Sequence, residues 1–124
     1  MGESVNSYSA LGLAYIGDAV YELMIRRHVI EEANRPVEKL HRAAVKYVNA
    51  AAQAALVDSV MDKLTEDELA VYKRGRNSKP NTMPKNQSSA DYHKATGFEA
   101  LVGWLYLQGN TDRINELFAP DKEK

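Results

Sequence analysis

Apolar residues recur every three or four positions through almost the whole chain, and this spacing restricts the fold more than any other feature. Side chains at that spacing share one face of an α-helix, whereas a half-buried strand alternates with a period of two. The first such stripe, on a helix predicted to run to about Ile30, consists of Ile16, Ala19, Val20, Leu23 and Met24. No segment alternates as a strand does, and no internal repeat is found. The sequence therefore predicts an all-α helical bundle.

Capping residues and helix breakers mark the ends of the other helices. A second stripe follows Pro36, which suits a first helical turn, and Asn49 marks a candidate break in this long alanine-rich stretch. In "LTEDEL", Thr65 and Glu68 have the spacing of a capping box, and their helix is predicted to dissolve in residues 74–89, which are rich in Pro, Asn and Ser. We then predict a long helix from Ser88 or Ser89 to about Gln108, and a short last helix from Thr111.

Length and composition bound the class of protein. With 124 residues and 27% charged side chains, the chain predicts one globular domain, 1–124, with a basic loop, 73–88, inserted between helices. The lack of cysteine excludes disulfides and thiolate metal sites and favours a reducing compartment. The N-terminal residues do not read as a signal peptide, and no uncharged apolar run reaches the roughly 18 residues of a membrane span. We therefore predict a cytoplasmic protein with no membrane segment.

Charge is distributed unevenly along the chain. The net charge is −1, yet residues 69–90 carry five basic side chains and no acid, which leaves eleven basic residues against seventeen acids elsewhere. The five are Lys73, Arg74, Arg76, Lys79 and Lys85. This local excess indicates a surface for an anionic partner, although a solvated loop that aids solubility would have the same composition.

A second basic pattern lies on the helix after Pro36. Arg35, Lys39, Arg42 and Lys46 are spaced by four, three and four residues, so they share one helix face, about 16 Å long at a rise of about 1.5 Å per residue. The same face continues to Asn49 and Gln53. It is either the exposed side of an amphipathic helix or, together with the 73–88 loop, a track that binds phosphates.

Two carboxylates stand out because their surroundings are otherwise uncharged. Asp18 is the only charged residue from Val5 to Tyr21, and Glu99 is the only one in residues 95–110. An ionised carboxylate on an apolar surface is normally paired or bound to a metal. Each acid lies at the edge of its apolar stripe, so both could project into one cleft, where a divalent cation such as Mg²⁺ would relieve their repulsion. Alternatively, each acid caps a helix or pairs with an arginine.

The remaining residues narrow the chemistry. The chain has no cysteine nucleophile and no glycine-rich phosphate loop. His28, His41 and His93 lack the spacing of a zinc site and are predicted to lie on the surface. A metal-activated water is the hydrolytic chemistry that this inventory allows.

Three motifs resemble those of the ribonuclease III family. "YIGDAVYEL" (15–23) resembles the family signature, in which an acid follows a glycine at the head of a helix. "GFEALVGWLYL" (97–107) resembles the second motif, and "KRGRNSKPNTMPKN" (73–86) resembles the basic loop of the Mini-ribonucleases III, a short bacterial branch without a double-stranded-RNA-binding domain. The resemblance covers about Leu11 to Leu107, with the motifs in the family's order.

The resemblance implies an all-helical, homodimeric endonuclease that cleaves double-stranded RNA with Mg²⁺, or with Mn²⁺, and that matures precursor 23S ribosomal RNA. Asp18 matches the signature aspartate and Glu99 the second-motif glutamate, so these two would bind the metal and act in catalysis. Tyr15 matches an aromatic residue that packs across the family's dimer interface, and it would serve equally well as ordinary core.

The chain departs from the larger ribonucleases III at three acidic positions. It has Ala14 four residues before the signature aspartate, Thr96 three residues before the glutamate, and Gln53 where a further glutamate occurs. One metal is therefore favoured over two. Thr96, Gln53 and Asn49 are candidates to orient the waters that the metal binds.

The basic loop and the basic helix face would bind the RNA. The resemblance leaves duplex shape as the main recognition signal, with Asn77 beside the loop's basic residues as a candidate to enter the groove. Two other functions stay open. One is an inactive ribonuclease III-like module that binds RNA or the ribosome, and the other is a helical adaptor for protein partners.

Overall fold

The structure is a computed structural model that describes residues 4–78 and 89–120. These residues form α-helices and two short 3-10 turns and contain no strand, so the all-α prediction is confirmed. No helix within the described ranges is long and apolar enough to cross a membrane. The helices are α1 (Ala10–Glu32), α2 (Val37–Val45), α3 (Ala50–Val60), α4 (Glu66–Arg76), α5 (Ser89–Leu107) and α6 (Thr111–Phe118).

Helix α5 lies at the centre of the fold because it is apolar on every side. Each residue of 95–105 except Glu99 is buried, and α1, α3, α4 and α6 pack around this helix. Phe98 contacts Tyr21 of α1 and Phe118 of α6 edge-to-face, with both pairs of ring centroids 4.8 Å apart. Glu99 is therefore the one acidic side chain in the most buried segment of the described chain.

Glycines bring the backbones of α1 and α5 into direct contact. A Cβ atom built on Gly17 would lie 1.8 Å from the carbonyl oxygen of Glu99, and one built on Gly103 would lie 1.9 Å from the carbonyl oxygen of Leu13. Only a residue without a side chain fits at either position. The two helices consequently meet most closely beside Asp18 and Glu99.

Helix α4 is longer than predicted. It continues to Arg76 instead of dissolving at residue 74, so three basic residues of the predicted loop lie in its last turn. Gly75 does not break the helix, because it packs against α5, where a Cβ atom would lie 2.8 Å from the Cα atom of Gly97. Basic side chains in a last turn also interact favourably with the helix dipole. Lys79 and Lys85 lie outside the described residues.

Two predicted helix signals are confirmed. The break near Asn49 separates α2 from α3, and Asn49 caps α3 by accepting from the Ala52 N–H at 2.9 Å while its amide donates to the Val45 carbonyl at 2.8 Å. The capping box of α4 is complete, with hydrogen bonds of 3.1 and 2.9 Å between Thr65 and Glu68. Because the helix breaks, the predicted basic face does not extend through Asn49.

Candidate active site

Asp18 and Glu99 lie side by side on the two helices that the glycines hold together. Asp18 is exposed and Glu99 is half-buried, and their side chains are in hydrogen-bond contact. Two carboxyl groups form a hydrogen bond only when one of them is protonated. Burial, together with the adjacent Asp18, raises the pKa of Glu99 to about 8. Without a cation, the pair therefore retains a proton at neutral pH.

This pair suits one hard divalent cation. Mg²⁺ is commonly held by one or two carboxylates, with waters and substrate phosphate completing its coordination. The described residues contain no group of three or more acidic, histidine or cysteine side chains that could hold a metal. Glu22, one helical turn after Asp18, is paired with Arg26 at 2.8 Å. Asp18 and Glu99 are thus the two side chains that could bind a cation here.

The three residues predicted to orient metal-bound waters have distinct surroundings. Thr96 is buried one turn before Glu99, and its hydroxyl donates to the Tyr92 carbonyl at 3.0 Å while its oxygen can still accept a hydrogen bond. Gln53 is buried on α3, at 4% exposure, and α3 packs against α5. Asn49 is held at the start of α3 by its capping hydrogen bonds.

The basic residues at the end of α4 differ in how they are held. Arg74 donates to a backbone carbonyl of the N-terminal segment at 3.1 Å. The guanidinium of Arg76 lies 5.6 Å from the centre of the Tyr72 ring, and its Nε donates to Asn77 at 3.3 Å. Lys73 is exposed. The last turn of α4 therefore presents two arginines held by hydrogen bonds together with one exposed lysine.

On α2, the predicted basic face is only partly retained. Lys39, Arg42 and Lys46 are exposed, the last of them just beyond the helix end. Arg35 is half-buried and donates to two carbonyl groups near the end of α1, at 3.4 and 3.5 Å. Arg35 thus hydrogen-bonds the carbonyl groups at the C-terminal end of α1, whereas the other three basic side chains face solvent.

The predicted surface position of the histidines is correct for His41 and wrong for His28 and His93, which are half-buried. His28 packs edge-to-face on Tyr47, with ring centroids 5.6 Å apart, and the ring centroids of His93 and Tyr92 are 6.0 Å apart. These aromatic neighbours accommodate the imidazole rings, which isolated positions in a sequence do not reveal.

Tyr15 is not part of the core. It is 84% exposed, and two other apolar side chains of α1, Leu11 and Leu23, are 42% and 70% exposed. An exposed aromatic residue on an apolar helix face is typical of a contact surface. The structure excludes the ordinary-core interpretation of Tyr15.

The residues that bring the carboxylates together were not identified from the sequence. Gly17 precedes Asp18 directly, and Gly103 follows Glu99 by one helical turn. A glycine inside a predicted helix is a signal of close packing, and both motifs contained one. That signal alone does not tell which helix packs against which.

We expect the metal-free protein to lose stability as the pH rises from about 4.5 to about 8. The pKa of Glu99 is raised from 4.5 to about 8 in the fold, so over this window the folded state holds a proton that the unfolded chain has released. Stability from this group is present at low pH and lost through the folded pKa, and each pKa unit corresponds to about 1.4 kcal/mol. Urea unfolding in EDTA at several pH values measures the effect.

Glu99→Gln is the matched variant for this measurement, because it keeps the shape of the side chain and cannot ionise. The difference in unfolding free energy between wild type and variant cancels the titrating groups that do not interact with Glu99, and it should change steadily over the window. Parallel pH profiles for the two proteins would contradict the raised pKa.

Comparisons with known proteins identify relatives of this chain. The Ribonuclease III domain profile matches residues 11–110. The chain is 50% identical to Mini-ribonuclease 3 of Thermoanaerobacter sp. (strain X514), over 93% of this chain and 81% of that protein. It is 49% identical to Mini-ribonuclease 3 of Symbiobacterium thermophilum, over 86% and 82%. A crystal structure of a Fusobacterium nucleatum protein superposes with a TM-score of 0.85 at 29% identity, covering 94% of this chain and 93% of that one.

Proposed function

The chain belongs to the ribonuclease III family, and from this premise we propose that it is a metal-dependent endoribonuclease that cleaves double-stranded RNA. The contact between Asp18 and Glu99 is the observation that carries the proposal. An exposed carboxylate and a half-buried one meet where the flanking sequence is otherwise uncharged, and burial beside Asp18 raises the pKa of Glu99. A hydrolytic metal site explains why the chain has two adjacent acids here, although their burial and mutual repulsion reduce the stability of the fold.

In this proposal Asp18 and Glu99 hold Mg²⁺ or Mn²⁺. The cation, when bound, supplies an activated water and offsets the charge that develops on the scissile phosphate. Asp18 faces solvent, where the RNA backbone can approach, and Glu99 reaches it from the buried helix α5. Glu99 must release its proton before it can act as a ligand. Gln53 and Thr96 are the candidates to fix the orientation of bound waters.

Recognition of the duplex would rest on its phosphates and shape. We propose that the basic side chains of α4 and α2 contact the phosphates of the RNA backbone. Lys79 and Lys85, from the segment between α4 and α5, are proposed to contact them as well. We expect Lys73→Ala and Arg76→Ala each to weaken binding to every duplex sequence and to lower the log–log salt slope by roughly one unit. Titrations at several salt concentrations, using cleavage-inactive protein, measure both effects.

Arg27→Ala is the control for this measurement, because Arg27 is exposed but paired with Glu31 at 3.2 Å. Its removal should leave the salt slope unchanged. If the Lys73 and Arg76 variants also bind with unchanged affinity and slope, the end of α4 is not the RNA grip, and Lys39, Arg42 and Lys46 become the stronger candidates.

Cleavage of both strands calls for two active sites related by a two-fold axis, so we propose that the protein acts as a homodimer. Tyr15 is the proposed anchor of the interface, since it is the most exposed large apolar side chain among the described residues. We expect sedimentation to show a dimer at micromolar concentration and Tyr15→Glu to show a monomer. Val37→Glu, at a 76% exposed apolar position on α2, should remain dimeric. A monomeric wild type would contradict the proposal.

The decisive test of the nuclease is direct. A perfectly paired RNA duplex and its separate strands are incubated with the protein in Mg²⁺, in Mn²⁺ and in EDTA. We expect cleavage of the duplex with either metal, none in EDTA, and no cleavage of the single strands. Duplex binding without cleavage would support the inactive RNA-binding module, and failure to bind RNA at all would support the protein adaptor.

The finer assignment is maturation of precursor 23S ribosomal RNA in the bacterial cytoplasm, which the family resemblance supports. Its test compares a precursor fragment that carries the paired ends of 23S RNA with an unrelated duplex of equal length. We expect cuts at fixed positions of the precursor. Equal, scattered cutting of both duplexes would overturn this assignment and leave the general endoribonuclease intact.

A further inference from the structure

A cavity of about 790 Å³ lies where the end of α1 faces the end of α2. This volume is within the range of pockets that bind small molecules. Its wall consists of a few small apolar residues and six polar or aromatic ones, His28, Glu31, Glu32, Arg35, Lys46 and Tyr47. None of the residues in the carboxylate pair lines it, so it is separate from the proposed catalytic site.

The charges in this cavity favour an anion. The carboxylate of Glu31 is engaged by Arg27 at 3.2 Å, and that of Glu32 lies 3.4 Å from the imidazole of His28. Arg35 and Lys46 also line the cavity, and neither forms an ion pair with an acidic side chain of the described residues. Arg35 is also fixed in place by its hydrogen bonds to the end of α1. Two cations that line one cavity suit a dianionic group such as a phosphomonoester.

The aromatic side of the cavity suits a planar ring. His28 and Tyr47 meet edge-to-face, with an angle of 83° between the rings. The His28 side chain is only 10% exposed, and its Nε2 lies 3.4 Å from the Glu32 carboxylate, so the ring is held in place at the cavity wall. Aromatic and imidazole rings are the groups on which unpaired nucleobases pack in RNA-binding proteins.

We propose that this cavity binds a nucleotide with a terminal phosphate, with Arg35 and Lys46 on the phosphate and His28 and Tyr47 beside the base. Such a nucleotide has two sources, the end of an RNA strand and a free mononucleotide. Hydrolysis of a phosphodiester breaks one P–O bond and leaves the oxygen of water on phosphorus, so one product strand ends in a phosphomonoester.

The strand-end source rests on the proposed function, and the mononucleotide source does not. His28 lies ten residues beyond Asp18 on α1, which is about 15 Å along the helix axis. A strand end in the cavity can therefore belong to a molecule whose duplex part reaches the carboxylate pair.

Calorimetric titration with adenosine 5′-monophosphate, adenosine and inorganic phosphate tests the cavity itself. We expect the monophosphate to bind at least about tenfold more tightly than adenosine and more tightly than phosphate, because it uses both sides of the cavity. Lys46→Ala should weaken monophosphate binding by at least about fivefold. The side chain is exposed, so its loss should not unfold the protein. Lys63→Ala, which removes an exposed lysine outside the cavity, is the matched control.

Equal affinity for adenosine and its monophosphate, no binding of the monophosphate at millimolar concentration, or an unchanged affinity in Lys46→Ala would each overturn the proposal. A change in the His28 and Tyr47 NMR signals on titration locates the ligand. Saturating monophosphate that leaves both signals unmoved would also refute the assigned cavity.

The source is distinguished with the cleavage-inactive Asp18→Asn protein and duplexes that carry a short single-stranded end with a 5′-phosphate, a 3′-phosphate or hydroxyls only. Tighter binding of one phosphorylated end, lost in Lys46→Glu, supports the strand end. Monophosphate binding with no end preference assigns the cavity to free mononucleotides and refutes the strand-end source. If the monophosphate binds and no RNA binds, the proposed nuclease function fails while the cavity assignment stands.

Discussion

Asp18→Asn and Glu99→Gln are each expected to lower the rate of duplex cleavage by at least about 10²-fold, the scale seen when a preorganised charge-stabilising group is lost. Both substitutions keep the volume of the side chain and remove a negative charge that a divalent cation requires. The amide of either variant can still hydrogen-bond its neighbour, so the contact between α1 and α5 is retained. Single-turnover cleavage of a labelled duplex at saturating protein measures the loss.

Affinity for the duplex should be nearly unchanged in the absence of metal, because the proposed phosphate contacts are made by the basic residues of α4 and α2 and not by the two carboxylates. The control is Glu22→Gln, one turn from Asp18 on the same helix, whose carboxylate is already neutralised by Arg26 at 2.8 Å. This variant should cleave at close to the wild-type rate. Wild-type cleavage by either the Asp18 or the Glu99 variant would refute the proposed site, and an equal loss in Glu22→Gln would show a general charge effect.

Gly17→Ala is expected to destabilise the protein by about 3 kcal/mol or more, the upper range for an overpacked position. The new methyl group would lie 1.8 Å from the carbonyl oxygen of Glu99 and 2.8 Å from the backbone nitrogen of Gly103. Neither atom belongs to a side chain that could rotate away. Relief requires α1 and α5 to separate, which would open the core and displace both carboxylates. Urea unfolding monitored by circular dichroism measures the change.

Gly12→Ala is the matched control on the same helix. A Cβ atom there would meet only the hydroxyl of Ser9, at 3.0 Å, and alanine has a helix propensity about 1 kcal/mol better than glycine. The control should therefore change stability by no more than about 1 kcal/mol. A Gly17→Ala protein as stable as this control would mean that the helices can adjust without cost, and the close approach would not be what positions the site.

The sequence by itself determined the main features that depend on local spacing. The three-to-four periodicity predicted an all-helical fold, Thr65 and Glu68 predicted a capping box, and Asn49 predicted a helix break. The isolation of Asp18 and Glu99 was equally local, because a lone charge in an apolar segment is visible without any partner. These predictions were correct because helix formation and capping involve residues within one or two turns of each other.

The tertiary structure alone decided what depends on distant segments. Whether Asp18 and Glu99 meet depends on the glycine contact of α1 with α5, across eighty residues of chain. The extent of α4 depended on the packing of Gly75 against α5, which outweighs the helix-breaking tendency of that residue.

Electrostatic partners followed the same rule. Glu68 was predicted only as a cap, yet it also forms a buried ion pair with Arg113 of α6 through two hydrogen bonds of 2.8 Å, which lowers the pKa of its carboxyl. His28 lies against Tyr47 instead of on the surface, because the turn after α2 folds back on α1. Periodicity shows which face of a helix is apolar, but the residue that this face meets is chosen by packing among helices far apart in the chain.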